Sequence, residues 1–308
     1  MAALIEPGDV RSARFAALAQ TPMTVVSSRS RAFSDSIRSI HDIFSRRELL
    51  ALLVRRDLKA RYKDSALGFV WSLIKPLTQL AIYYIVVGHF LGAAKGIPDF
   101  AVYVFCGLTI YSLFSETISG ATSSIVGNAG LIKKIALPRE IFPLASIGAG
   151  GFNFLVQLAI LVVASLFLGG FHLGWDVLYA IPAVLVVLIY ATAIGLFLSA
   201  VNVYLRDIQY LIEIGLMVLL WASPTIYGWS QASAVLGDGP ILDAYTNNPI
   251  TLAVLAFQKA FWAGGVANIH FPGLLLMRLG IAAIVGIALI FVAQRVFSRL
   301  EGNFAQEL

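Results

Sequence analysis

Arg55, Arg56, Lys59, Arg61 and Lys63 crowd one short run of the chain, a density of positive charge suited to phosphate. A guanidinium grips phosphate oxygens with a two-pronged fork, and an ammonium holds them as a point charge. Anionic lipid headgroups suit the same side chains equally well, and both readings stay open. A second cationic pair, Lys133 and Lys134, lies between the apolar Leu131 and Ile132 and the turn-forming Pro138-Arg139. Phe100, Tyr103, Tyr111 and Phe114, with Gly107 midway, recur at helical spacing and so share one helix face. Tyr83 and Tyr84 are within reach of that face. Such rings stack on sugars, or simply pack.

Bond-making chemistry is poorly represented. No Lys is followed by Ser or Thr, so the chain carries no Walker A phosphate loop. His41, His89, His172 and His270 are scattered without metal-ligand spacing. Cys106 is the sole cysteine, which excludes an intrachain disulfide. There is no Ser-His-Asp arrangement. The chemistry on offer is recognition, and any energy source belongs on another chain.

The elements that must position these groups are apolar. Six long runs read Phe69–Leu91, Phe100–Thr122, Phe142–Leu168, Val177–Val201, Ile208–Gly228 and Gly273–Ala293. A hydrocarbon core of about 30 Å takes about 20 helical residues, and backbone in lipid must satisfy its own hydrogen bonds. Only 13% of residues are charged, about half the share in soluble domains, and mean hydropathy is +0.84. The expected fold is an all-α polytopic membrane protein with six transmembrane helices. Among the 22 Lys and Arg residues, all but Lys95, Lys259 and Arg278 fall on one side of that plan. The positive-inside bias then puts both termini in the cytoplasm, and the net charge of +5 is a topology signal rather than a nucleic-acid footprint.

Residues 1–44 read as a flexible cytoplasmic extension with no signal-peptide core. Ser45-Arg-Arg-Glu48 is a capping box opening a helix of mixed apolar and cationic residues. Such a helix lies in the headgroup plane or docks on a partner. Asn247-Asn248-Pro249 signals a further helix start, and 249–264 is too short to span. It reads as an outer-side re-entrant or interfacial helix before the last span, with Phe257, Phe261 and Trp262 at the boundary. Glu116 and Glu213 fall towards the cytoplasmic ends of their spans, and any of Glu116, Glu213 and Arg278 can line a channel.

Two segments carry a family likeness. They are Arg55-Arg56-Asp57-Leu58-Lys59-Ala60-Arg61-Tyr62-Lys63, running on to Trp71 and Lys75-Pro76, and Asn128 to Lys134 with Leu137-Pro138-Arg139-Glu140-Ile141-Phe142-Pro143. Together with the six-span plan and Asn202 to Ile208, they resemble permease subunits of type-2 ABC exporters. The likeness is to the branch that moves lipid-linked polysaccharides and teichoic acids, and it covers residues 45–304, leaving 305–308 as a tail. It implies a homodimer in the bacterial cytoplasmic (inner) membrane, with two copies of a separate ABC ATPase subunit. ATP and Mg would sit on that partner, with no cofactor in this chain. It implies a polyprenyl-diphosphate-linked glycan as substrate, galactan or O-antigen-like first and teichoic acid next. On this likeness, Leu131, Ile132, Lys133, Lys134, Pro138 and Arg139 meet the ATPase, and Tyr83, Tyr84, Phe100, Tyr103, Tyr111 and Phe114 are candidates for the glycan path. The alternatives are an exporter of a small hydrophobic drug or lipid and, more remotely, a membrane-embedded glycosyl or phosphoglycosyl transferase.

Overall fold

The computed structural model describes residues 47–62, 70–134, 137–167, 174–262 and 271–308. The extension 1–44, the Ser45 capping residue, Lys63, Ile135 and the Arg61 side chain lie outside the described residues. In chain order the helices are α1 (Arg47–Tyr62), α2 (Trp71–Ile82, continuing as a π-helix over Tyr83–Phe90), α3 (Phe100–Gly127) and the single turn α4 (Ala129–Ile132). Next come α5 (Ile141–Phe167), α6 (Ala180–Tyr204, entered by a 3₁₀ turn Trp175–Tyr179), α7 (Ile208–Trp221), α8 (Trp229–Leu236) and α9 (Pro240–Thr246). The last are α10 (Pro249–Phe261), α11 (Leu275–Leu300) and, after a 3₁₀ turn Glu301–Asn303, α12 (Phe304–Glu307).

Among the described residues, five stretches are long and apolar enough to cross a membrane: Trp71–Phe90, Phe100–Gly127, Ile141–Phe167, Trp175–Tyr204 and Leu275–Asn303. The expected span over 208–228 is shorter than read. α7 stops at Trp221 after 14 residues, about 21 Å of helix, because Pro224 has no N–H to continue the ladder. The chain turns at Ala222–Gly228 instead.

α3, α5, α6 and α11 form the bundle, with α10 inside it. Without a hydrophobic drive between helices in lipid, close backbone approach and hydrogen bonds hold such bundles together. Gly286 of α11 meets Ile189 and Tyr190 of α6, where a Cβ would lie 2.5 Å from Ile189 Cγ2. Gly107 of α3 lies against Thr225, whose Cα and carbonyl oxygen would both be 2.9 Å from an added Cβ. The Asn202 side-chain amide of α6 donates to the Thr122 carbonyl of α3 (3.0 Å).

α10 starts as its sequence signals, with Asn248 accepting from the Ile250 N–H (3.0 Å) and Pro249 in the first turn. It is buried nearly all round, as expected of a helix apolar on every side. Phe257, Phe261 and Trp262 are therefore core residues rather than the boundary belt read from sequence. Trp262 donates to the Pro98 carbonyl (2.7 Å) and Gln258 to the Pro224 carbonyl (2.8 Å). Outside the spans, Tyr245 donates to the Tyr227 hydroxyl (3.2 Å). Burial holds its phenol above the ordinary range, so it stays neutral. Cys106 is fully buried in α3.

α1 lays Leu49, Leu50, Leu53 and Val54 on its own chain, with Val54 against Gly148 of α5. Its apolar face is thus largely covered by protein, and Arg55, Arg56 and Lys59 point outward. Arg56 pairs with the adjacent Asp57 at 2.7 Å; such an exposed pair is worth well under about 1 kcal/mol.

Candidate functional site: a polar groove among the apolar helices

A polar groove opens where α2, α3, α5 and α7 meet. α3 supplies Ser112, Glu116, Ser119 and Ser123 at alternating four- and three-residue steps, which sets them in one row. α5 adds Asn153 and Gln157, α2 adds Ser72, Lys75 and Gln79, and α7 adds Gln209. Two adjoining hollows of about 490 and 270 Å³ share Lys75, Pro76, Glu116 and Gln157. The Asn153 amide donates to Glu116 Oε2 at 2.7 Å, so the carboxylate is oriented rather than loose.

Glu116 lies just past the middle of the 28-residue α3, within a stretch long and apolar enough to cross a membrane. Polar and ionisable groups at that depth are expensive and mark a pathway or binding surface. Hydroxyls, amides, one exposed ammonium and one carboxylate can hydrogen-bond sugar hydroxyls or a phosphate. The row of Ser112, Ser119 and Ser123 is a repeat of small hydroxyls at helical spacing, a signal that the sequence carries alongside the aromatic stripe.

The stripe itself is placed differently from the sequence expectation. Phe100, Tyr103, Tyr111 and Phe114 are all buried within the protomer. Tyr103 donates to the carbonyls of Pro224 (3.1 Å) and Tyr227 (2.8 Å), and stacks edge-on against Trp262 at 4.8 Å. Tyr111 donates to the Leu216 carbonyl and borders the smaller hollow. As an open sugar-stacking face the stripe is corrected: its hydroxyls are committed to α7 and the turn that follows it, and its rings fill the space between helices. Tyr83 and Tyr84 differ. Tyr84 is exposed beside His89 (4.8 Å), and Tyr83 meets Trp221 of α7 edge-on at 6.5 Å.

At the cation-rich end, α3 stops at Gly127, where the Asn128 side chain folds back on the Ser124 carbonyl (2.8 Å). α4 then gives one turn. Ile132 is buried in the chain's own second core with Leu131 partly covered, so Ile132 anchors the loop and Lys133 and Lys134 are what it exposes. Pro138 and Arg139 are half-buried, and Arg139 donates to the Glu301 carbonyl. At the other end Arg278 donates to Asn247 Oδ1 (2.7 Å) and to the Gly273 carbonyl (3.2 Å), away from the groove. Glu213 is exposed on α7.

A family model described as ABC-2 type transporter matches residues 48–236. An O-antigen export system permease protein RfbA of Klebsiella pneumoniae is 28% identical over 262 residues, which is 85% of this chain and 95% of that protein. A protein of the same description from Myxococcus xanthus is 27% identical over 272 residues, covering 88% of this chain and all of that one.

Proposed function

Because the chain belongs to the ABC-2 type transporter family, and is thus a transport subunit that works with an ABC ATPase, we propose that it exports a lipid-linked, O-antigen-like polysaccharide. The transferase alternative falls with the family assignment. The relatives' description as O-antigen export permeases, over nearly the whole chain, supports the glycan class.

The observation that carries the reading is the groove's amphiphilic setting. Its polar row opens between α2 and α7, whose outward faces are apolar: Leu77, Ile82 and Ile85 on one, Leu211, Ile214 and Met217 on the other. A polyprenyl diphosphate glycan has the matching form, with sugars and phosphates for the groove and a tail that stays in lipid. Lys75 is the phosphate contact at the groove, and the cations of the 55–63 run, Arg55, Arg56, Lys59, Arg61 and Lys63, attract the diphosphate.

In this reading the cation-rich end faces the cytoplasm of a bacterial inner membrane. Two copies of the chain enclose the path, and two ATPase subunits hold the ATP and Mg. They push on Leu131, Lys133, Lys134 and the Pro138 turn, the coupling segment of each permease.

The test is purification of the chain in mild detergent with its bound ATPase, followed by glycan transport into inverted vesicles. ATP-dependent uptake that falls about tenfold in Lys75→Glu, with ATPase still bound, is the expected result. Uptake of a hydrophobic drug instead of glycan overturns the substrate class.

A further inference from the structure

The segment after α11 is folded against the coupling segment. Arg139, one residue past Pro138, donates through Nη1 to the backbone carbonyl of Glu301, and its guanidinium carbon lies 5.6 Å from the centre of the Phe304 ring. The adjacent Glu140 is almost fully buried and accepts from the Gln294 amide of α11 at 2.9 Å. Phe304 is wholly buried, edge-on to Phe297 of α11 (5.5 Å) and to Tyr204 of α6 (6.2 Å). The Tyr204 hydroxyl donates to the Leu300 carbonyl (2.7 Å).

These contacts answer a local need. α4 is a single turn, and a turn of that length has no stability of its own. Ile132 pins one side of the loop. The other side is held by charge-assisted and cation–π contacts to residues beyond α11. A push on α4 therefore has two ways into the bundle, along the chain into α5 and across Arg139 into α11 and α6.

We propose that Glu301–Leu308 is a strut that fixes the coupling segment, with Phe304 and Arg139 as the positioning pair, so that ATPase movement reaches α11 and α6 as well as α5. This rests on the coupling role given to residues 129–140 above.

The test compares Phe304→Ala, Phe304→Leu, Arg139→Gln and Arg139→Lys in the assembled permease–ATPase complex. Amide hydrogen exchange over 131–140 is expected to quicken about tenfold in Phe304→Ala and Arg139→Gln, with exchange in α3 unchanged, because the opening is local. ATP hydrolysis by the Phe304 variants continues while glycan moved per ATP falls several-fold. Arg139→Lys, which keeps the charge over the ring, restores part of it. Exchange at the wild-type rate in Phe304→Ala overturns the strut. So does faster exchange with glycan per ATP unchanged. If Phe304→Ala fails to fold, Phe304→Leu and Arg139→Gln decide by the same two readouts. A wild-type complex that neither holds an ATPase nor moves glycan overturns the exporter reading instead, a result distinct from both.

Discussion

α3 and α2 are both apolar helices with the length of a membrane span, yet the bundle treats them oppositely. Some 78% of the most apolar stretch of α3 is buried inside the protein, against 6% for α2. α10 goes with α3, and α7, which buries no residue, goes with α2. Hydropathy cannot tell these pairs apart, because a protein interior and a lipid tail are equally apolar. Directional contacts can. α3 and α10 carry Tyr103, Gln258 and the Gly107 approach, all aimed at the turn Ala222–Gly228, and nearby Trp262 is tied to Pro98. α2 instead contains Pro76 and a π-helical half, features that loosen a regular helix and often lie at functional sites. One pair is scaffold, and the other leaves its apolar faces uncovered by the chain.

Substitutions can break this contrast. Gly107→Val should have the largest effect. Its branched side chain meets the Thr225 backbone, which cannot swing aside, so a loss of about 3 kcal/mol or outright failure to fold is expected. Thermal unfolding of the purified protein reads it. Tyr103→Phe is milder. It strands the Tyr227 carbonyl while Gln258 still serves Pro224, and should cost about 1–2 kcal/mol in the same assay. A wild-type melting curve for either would make α3 no more a scaffold than α2.

On the other side of the comparison, Ser119→Leu in the groove should leave melting unchanged and cut export about tenfold. The smallest effect belongs to Leu211→Ala on α7, within about 0.5 kcal/mol of wild type. If instead it melts much earlier when the membrane complex is dissociated into single chains, α7 already packs as core. Met217→Cys sharpens the point, since disulfide-linked dimers formed in native membranes would identify the second copy as what covers that face.

The sequence reading of the spans succeeds where length and hydropathy suffice, as for α3, α5, α6 and α11. It overruns at α7 because an apolar run was read through Ser223-Pro224, a stop signal in plain view. The start of α10 was legible in Asn247-Asn248-Pro249, but its burial was not, since an aromatic side chain suits an interface and a core alike. The exposure of Lys133 and Lys134 follows from their charge alone. The contact of Arg139 with Glu301 and Phe304 has no local signal, because it joins residues 162 positions apart and arises only when α5 and α11 pack.

Cys106 has a practical consequence. The sole thiol of the chain is sealed within the first half of α3, so water-soluble maleimides should find the native protein blank. Every introduced cysteine then reports alone, with no need for a cysteine-free background. Labels at Lys95 and Val235 from one side of intact cells, and at Lys134 and Arg299 from the other, would map the whole topology on an otherwise unaltered transporter.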